Sequence, residues 1–378
     1  MNVSHRQLIA GVLAAAVIAV GCASSTPKAS PTTSSTVAGG GVTTAGISAA
    51  RCAANRAAGK ITYLSGFDFS ASASILDVVV AKDQGYFSKM CLDVDLKPSF
   101  SVTNYPLVAS GKAQFASAGN FTEILNFSKS GARFVAVADF GKSAIEALLV
   151  RDDGKITRLT DLKGKTIGVK GDLPSSIVAM LAKAGLRRGF DYSERLLDGF
   201  DPRQHLQQAI DALPVFKSNE PGQLASAGIK FKLFDPLDSG TPGSFGLLYT
   251  SPAFLAAHPT AAQDFIRACL KGYAYADAHP AEAVAMSVKA IKSAGNQSFL
   301  TVAGETFRWE SEDAIVKRST PAGEPVGLVD GARFAAEVAA YAAAGVFKNG
   351  TPSAEGSYDE SVARALFDTT GKLIWPTS

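Results

Sequence analysis

Short apolar runs alternate with segments of helical spacing along most of the chain, which predicts an α/β fold. The first unit covers residues 61–87. Residues 61–64 are β-branched and aromatic, as in a buried strand, and Gly66 ends the run. From Ser74 onward apolar residues recur at helical spacing until Gly85. The loop between them, 66–70, is a candidate ligand loop, because ligands of open α/β sheets bind at the carboxyl ends of strands.

The same pattern divides the rest of the chain into two domains. It predicts further strands at 92–96, 113–118, 133–140, 144–150, 166–170, 194–197, 212–216, 231–234 and 244–249. The pattern breaks at 151–154, where we place a crossover, and 244–249 is expected to return the chain. We therefore predict a first domain of residues 59–150 plus 250–378 and a second of residues 151–249. Each would hold a mixed, mostly parallel sheet flanked by helices, with a ligand cleft between them.

The first residues have the pattern of a targeting segment rather than of a fold. Arg6 precedes an apolar run, 8–20, that is too short to span a bilayer comfortably. The small residues before Cys22 resemble a bacterial lipobox, which implies a signal peptide of residues 1–21 and a lipidated Cys22 on the outer face of the cytoplasmic membrane. A plain secretory signal with an incidental cysteine is the alternative. Residues 22–58 are mostly small and polar, which predicts a disordered tether.

The remaining cysteines predict one disulfide. Cys52 lies just before the first predicted strand and Cys91 just before the second. Adjacent parallel strands would bring these positions together, and an exported protein meets an oxidising environment. Cys269 lies on an amphipathic helix and is expected to be a buried free thiol.

Charge and motifs exclude several classes of function. The net charge of +3 is small for 378 residues, and the basic residues are scattered, so we expect no nucleic-acid partner. The four histidines are isolated, which argues against a zinc site. The chain has no recognisable catalytic triad or phosphate loop. We therefore expect no enzyme activity, no metal and no cofactor.

A family resemblance lies in the order and spacing of several short motifs, at 81–87, 92–94, 161–169, 211–212 and 218–221. This order resembles the type II periplasmic-binding-protein fold, in the branch that serves import of nitrate, sulfonate, taurine and thiamine pyrimidine precursors. Asn219-Glu220-Pro221 looks most like members that carry pyrimidine or flavin-type ligands. The resemblance implies a small-molecule ligand and a membrane ABC permease with its ATPase as partners. We expect a monomer.

The candidate ligand residues share a position at or near predicted strand ends and offer aromatic surface or hydrogen-bonding groups. Asn120 and Asn219 could instead be helix caps only, and Phe121 and Phe140 could belong to the core. Trp309 could close over the cleft or pack a helix. The candidates are Phe67, Asp68, Phe69, Asn120, Phe121, Thr122, Phe140, Asp172, Ser175, Ser176, Asn219, Glu220 and Trp309.

These residues favour a heteroaromatic ligand. Asp68, Asp172 and Glu220 would accept hydrogen bonds from ring N–H groups or amines, and Phe67 and Phe69 would stack on a ring. An anion would instead need N–H groups, hydroxyls and a cation. The predicted function is the solute-binding lipoprotein of an ABC importer for a pyrimidine, thiamine-precursor or flavin-like ligand. The alternatives are a sulfonate, taurine or nitrate importer component and a ligand-binding sensor subunit.

Overall fold

Two five-stranded sheets form the framework of the molecule. The computed structural model describes residues 47–128, 131–295 and 300–376. The predicted signal peptide and Cys22 lie outside the described residues. The ten strands in these described ranges are β1 (Lys60–Leu64), β2 (Asp93–Lys97), β3 (Phe115–Ala118), β4 (Val135–Gly141), β5 (Glu146–Arg151), β6 (Thr166–Val169), β7 (Ser193–Leu196), β8 (Ala212–Phe216), β9 (Phe231–Phe234) and β10 (Phe245–Thr250).

Both sheets are mixed, as the sequence predicts. The first has the order β2-β1-β3-β10-β4, in which β1 is parallel to β2 and β3, while β10 is antiparallel to β3 and β4. The second has the order β7-β6-β8-β5-β9, in which β6 is parallel to β7 and β8, while β5 is antiparallel to β8 and β9. We call the parts of the chain built on these sheets the first lobe and the second lobe.

Helices cover the sheets, and many begin at a strand-end loop. They are α1 (Ala49–Ala57), α2 (Leu76–Asp83), α3 (Tyr86–Lys89), α4 (Ser101–Ala109), α5 (Phe121–Ser128), α6 (Ser175–Lys183), α7 (Pro202–Gln207), α8 (Glu220–Ser226), α9 (Pro252–Ala257), α10 (Pro259–Ala278), α11 (Pro280–Ser293), α12 (Val302–Ser319), α13 (Gly331–Ala343) and α14 (Glu360–Arg364). In the described ranges no helix combines the length and apolarity needed to cross a bilayer.

The first crossover lies earlier than the sequence pattern indicates. The strand predicted at 144–150 was expected in the first domain, but β5 pairs on both sides with strands of the second sheet. The chain therefore passes between the lobes at 142–145, and it returns between β9 and β10. The two passing segments touch, since a Cβ built on Gly243 would lie 2.6 Å from the Ala144 nitrogen. The predicted domain boundary at 150/151 thus falls inside β5, and the one at 249/250 falls inside β10.

The predicted tether ends earlier than residue 58, because residues 49–57 form α1. Ser48 caps this helix by accepting a hydrogen bond from the Arg51 N–H at 3.1 Å. Arg51 and Asn55 are buried and both bond to the Asp264 carboxylate in α10. The prediction of disorder is wrong for this helix, because polar contacts rather than apolar burial hold it on the first lobe.

The disulfide expected between Cys52 and Cys91 is present, and it ties α1 to the turn before β2. Cys269 is a buried free thiol in α10. For oxidised, exported protein, we expect peptide mass spectrometry without reduction to find the Cys52 and Cys91 peptides joined. Alkylation under denaturing conditions should modify Cys269 only among these three. Alkylation of all three would contradict the pairing.

Candidate functional site

The carboxyl ends of parallel strands from both lobes face each other where the lobes meet. In the first lobe, β1 and β3 end in the loops that lead to α2 and α5. In the second, β6 and β8 end in the loops that lead to α6 and α8. We call this region the cleft.

One carboxylate on α12 joins the loops of the two lobes. Glu312 accepts a hydrogen bond from the Ala73 N–H of the β1–α2 loop at 2.7 Å. Its second oxygen accepts the Ser218 hydroxyl proton of the β8–α8 loop at 2.9 Å. Burial raises the pKa of Glu312, and these bonds oppose that shift.

A second α12 contact uses Arg308, whose guanidinium lies 5.7 Å from the Phe67 ring centroid. It also donates to the Asn219 side-chain oxygen at 3.3 Å and pairs with Glu305 at 3.3 Å. This arginine therefore connects a predicted aromatic residue of the first lobe to a predicted polar residue of the second.

A third carboxylate, Glu337 of α13, is tied to the start of α5. It accepts from the Thr122 hydroxyl at 2.8 Å and from the Ser244 hydroxyl at 2.7 Å. Ser244 in turn accepts from the Phe121 N–H at 2.9 Å. Burial raises the pKa of Glu337 to about 7 against these bonds, and the charge of Asp139 adds to the rise.

Glu123 of the first lobe and Glu146 of the second interact across the cleft. Glu123 accepts from the Gly119 N–H at 3.1 Å and from the Tyr105 hydroxyl at 3.1 Å. Glu146 accepts from the Ser176 hydroxyl at 3.0 Å. Both are partly exposed. Burial is the main cause that raises the pKa of each, and the charge of Glu146 raises that of Glu123 further.

Cationic side chains beside these loops are already neutralised within the chain. The pairs are Lys142 with Asp139, Lys170 with Glu220, Lys217 with Asp235 and Arg308 with Glu305. By contrast, Glu123, Glu146, Glu312 and Glu337 form no ion pair with any residue that the structure describes. The described part of the cleft therefore holds four carboxyl groups without an ion-pair partner among the described residues. That part contains no group of three or more His, Cys, Asp or Glu that could hold a metal ion.

Four of the predicted polar residues lie at the cleft. Asn120 caps α5 by accepting from the Glu123 N–H at 2.8 Å, so its helix-cap interpretation holds. Thr122 and Ser176 hold Glu337 and Glu146, while Asn219 bonds to Arg308. Ser175 is partly exposed at the start of α6.

The three predicted acids are all engaged by partners within the chain. Asp172 is exposed and pairs with Arg188, whose hydrogen bond lowers the pKa of this carboxyl. Glu220 is buried, pairs with Lys170 and accepts from the Phe216 N–H at 2.9 Å. Asp68 is buried, with a left-handed φ of 49°, and accepts from the Phe69 N–H at 2.6 Å.

Most of the predicted aromatic residues belong to the core. Phe67 is partly exposed, whereas Phe69 is buried beside α11. Phe121 stacks on Phe334 with ring centroids 3.9 Å apart, and Phe140 stacks on Tyr273 at 5.4 Å.

Trp309 does not close over the cleft, which corrects its assignment as a ligand residue. It is 1% exposed and its indole N–H donates to the Ala276 carbonyl at 3.2 Å. It borders a cavity of about 560 Å³ between α11 and α12.

Sequence reasoning missed the acidic residues of α12, α13 and β5. Glu305 and Glu312 lie seven residues apart, which places them on one helix face, and that spacing was the available signal.

Comparison with known proteins adds a family to this geometry. The NMT1/THI5-like family profile matches residues 72–283. The riboflavin-binding protein RibY of Chloroflexus aurantiacus is 30% identical over 142 residues, which are 37% of this chain and 40% of RibY. This chain thus matches less than half the length of that relative.

Solved structures share the fold at low identity. The periplasmic aliphatic sulphonate-binding protein SsuA of Escherichia coli is 16% identical, with a TM-score of 0.59 over 79% of this chain and 90% of SsuA. The desulfurization enzyme DSZB is 13% identical, with a TM-score of 0.51 over 81% of this chain and 99% of DSZB. Since the family profile spans more than half of the sequence, the chain belongs to the NMT1/THI5-like family and has the two-domain, type II periplasmic-binding-protein fold.

Proposed function

We propose that this protein is the exported solute-binding component of an ABC importer. It would capture a small heteroaromatic molecule in the cleft and deliver it to a membrane permease served by an ATPase. Family membership and the two-lobed fold support a binding role. The sequence and the described residues offer no recognisable catalytic constellation, so we propose binding rather than catalysis, although the desulfurization enzyme DSZB shares the fold.

The charge balance of the cleft carries the proposal for the ligand. The neighbouring cations are paired within the chain, while four carboxylates accept only hydrogen bonds from described residues. Glu123 and Glu146 are partly exposed, and the charge of Glu146 raises the pKa of Glu123, so both are positioned to accept hydrogen bonds from a bound molecule. Ring N–H groups and exocyclic amines donate such hydrogen bonds, and Phe67 offers an aromatic face for stacking.

Pyrimidine-type and flavin-type molecules combine a flat ring with several N–H donors. The similarity to RibY, a protein named for riboflavin binding, agrees with this class over the matched 142 residues. A sulfonate, taurine or nitrate importer component is the second candidate, because SsuA shares the fold. A sensor subunit is the third, and a kinase gene beside this one, instead of permease and ATPase genes, would favour it.

The anchor is proposed from the sequence. Lipidation of Cys22 would hold the protein on the outer face of the cytoplasmic membrane, with the residues before α1 as a spacer. This arrangement would keep the cleft near the permease.

Calorimetric titration with riboflavin and with a 4-aminopyrimidine tests the ligand class. We expect one of them to bind in the micromolar range or tighter. We expect Glu146→Gln to weaken that binding at least tenfold, because a hydrogen bond to a charged group contributes roughly 1.5–3 kcal/mol. Glu282→Gln, an exposed position on α11, is the matched control and should leave affinity unchanged. Tight binding of taurine or nitrate with no response to any heterocycle would overturn the ligand class.

A further inference from the structure

The loop between β1 and α2 carries two buried backbone N–H groups that already hold anions. The Ala71 N–H donates to a Glu305 carboxylate oxygen at 2.6 Å, and the Ala73 N–H donates to Glu312 at 2.7 Å. Both lengths are at the short end of the range for N–H donors and carboxylates. These two bonds are strong and specific contacts between the loop and α12.

The two carboxylates reach the loop from one face of α12. They are seven residues apart, about two helical turns, and Arg308 lies between them on the same face. Glu305 is 1% exposed and Glu312 is 4% exposed. Arg308 is paired with Glu305, and its charge also lowers the pKa of Glu312, which forms hydrogen bonds but no ion pair with described residues.

This face of α12 forms a wall of the cleft rather than part of the remote core. Glu312 also accepts from Ser218, and Arg308 donates to Asn219, both in the second lobe. The contacted loop of the first lobe runs directly into the start of α2. A strand-end loop before a helix, with free N–H groups and a facing hydroxyl, would ordinarily suit an oxyanion.

A ligand anion at this place would have to displace a resident carboxylate. The displaced group would remain in the same buried region, close to the ligand's own charge and without a partner. Removing the partners of a buried charge is strongly destabilising. A neutral or cationic group meets no such penalty and is attracted by the same carboxylates.

We propose that Glu305 and Glu312 are resident anions that make the cleft reject anionic ligands such as sulfonates and nitrate. This inference rests on the proposed binding role of the cleft and gives it a selectivity rule. The ligand group that meets the α12 wall is therefore neutral or cationic.

Removal of one resident carboxylate should convert its place into an anion site. We expect Glu312→Ala to bind methanesulfonate or nitrate at least tenfold more tightly than the wild-type protein, measured by calorimetry, with a matching rise in melting temperature. The vacated Ala73 N–H and Ser218 hydroxyl would then bind the added anion. Glu312→Gln keeps a neutral acceptor in place and should bind much less of either anion than Glu312→Ala. Glu310→Ala, an exposed neighbour on α12, is the matched control and should behave as the wild type.

Two results would overturn the proposal. One is wild-type protein that binds methanesulfonate or nitrate in the micromolar range, a measurement that requires no variant. The other is a folded Glu312→Ala or Glu305→Ala protein whose anion affinity equals that of the wild type. Titration with riboflavin and the 4-aminopyrimidine is a separate arm. If neither compound binds, the heteroaromatic ligand class is wrong. Tighter anion binding by Glu312→Ala would still support the proposal that the resident carboxylates exclude anions.

Discussion

Replacing Asp264 with alanine is expected to lower the free energy of unfolding by about 3–5 kcal/mol, because it leaves buried charges without their partner. Asp264 is fully buried in α10. Its carboxylate accepts from Arg51 at 2.7 and 3.0 Å, from Asn55 at 2.7 Å and from Arg267 at 2.9 Å. The substitution would therefore strand two arginines in a buried place and release α1 from the first lobe.

Urea unfolding of the wild type and of Asp264→Ala would measure this loss. The control is Asp277→Ala on the same helix, whose pair with Lys317 is about half exposed. An exposed pair contributes at most about 1 kcal/mol. Equal losses in the two variants would show that the buried network adds no special stability.

Replacing Asp77 with asparagine is expected to stabilise the protein at neutral pH by roughly 1–3 kcal/mol, because a buried carboxylate with unsatisfied oxygens opposes folding. Asp77 is fully buried in α2, and its side-chain oxygens accept no well-formed hydrogen bond among the described residues; only the backbone N–H groups of Ser74 and Asp77 partly offset the burial. Burial is the main cause that raises its pKa well above the usual 3.8, and the charge of Glu312 adds to the rise.

The gain should depend on pH in one direction. When folding raises the pKa of a carboxyl, its contribution to stability is fully present at pH values below the pKa of the unfolded chain. That contribution is lost as the pH rises through the pKa of the folded state. The advantage of Asp77→Asn over the wild type should therefore be small near pH 4 and grow toward pH 7. Urea titrations at both pH values measure it. Asp83→Asn, an exposed position on the same helix, should show no comparable trend. A gain that shrinks as pH rises would contradict the assignment.

Apolar patterning was sufficient to predict the ten strands of the described residues and the helix α2, because their buried faces consist largely of apolar side chains. It failed for α1 and α12 for a shared physical reason. α1 is held by Arg51, Asn55 and a disulfide. α12 buries Glu305, Arg308 and Glu312 together with Trp309. A helix whose buried face is polar lacks the apolar stripe on which periodicity depends.

The sequence was sufficient to predict which loops form the candidate site, but only partly the roles of their side chains. Strand ends indicated the β1–α2, β3–α5, β6–α6 and β8–α8 loops, and all four lie at the cleft. The roles of Asp172 and Glu220 were not predictable, because their partners, Arg188 and Lys170, come from other parts of the second lobe. Glu312 joins residues 239 and 94 positions away, a juxtaposition that only the folded chain creates.

The path of the chain through the first lobe fixes the order in which the two lobes can fold as the chain emerges. β10 lies between β3 and β4, and α10 packs on α2, yet both follow the whole second lobe in sequence. A chain that emerges from its amino end therefore presents β3 and β4 without the strand that joins them until residue 250 has been released. The second lobe, a continuous segment, can complete its sheet first. Exposed strand edges promote association between chains. Folding of a chain that emerges from its amino end thus passes through a stage in which the first sheet is incomplete, and this stage lasts until the carboxyl-terminal third has arrived.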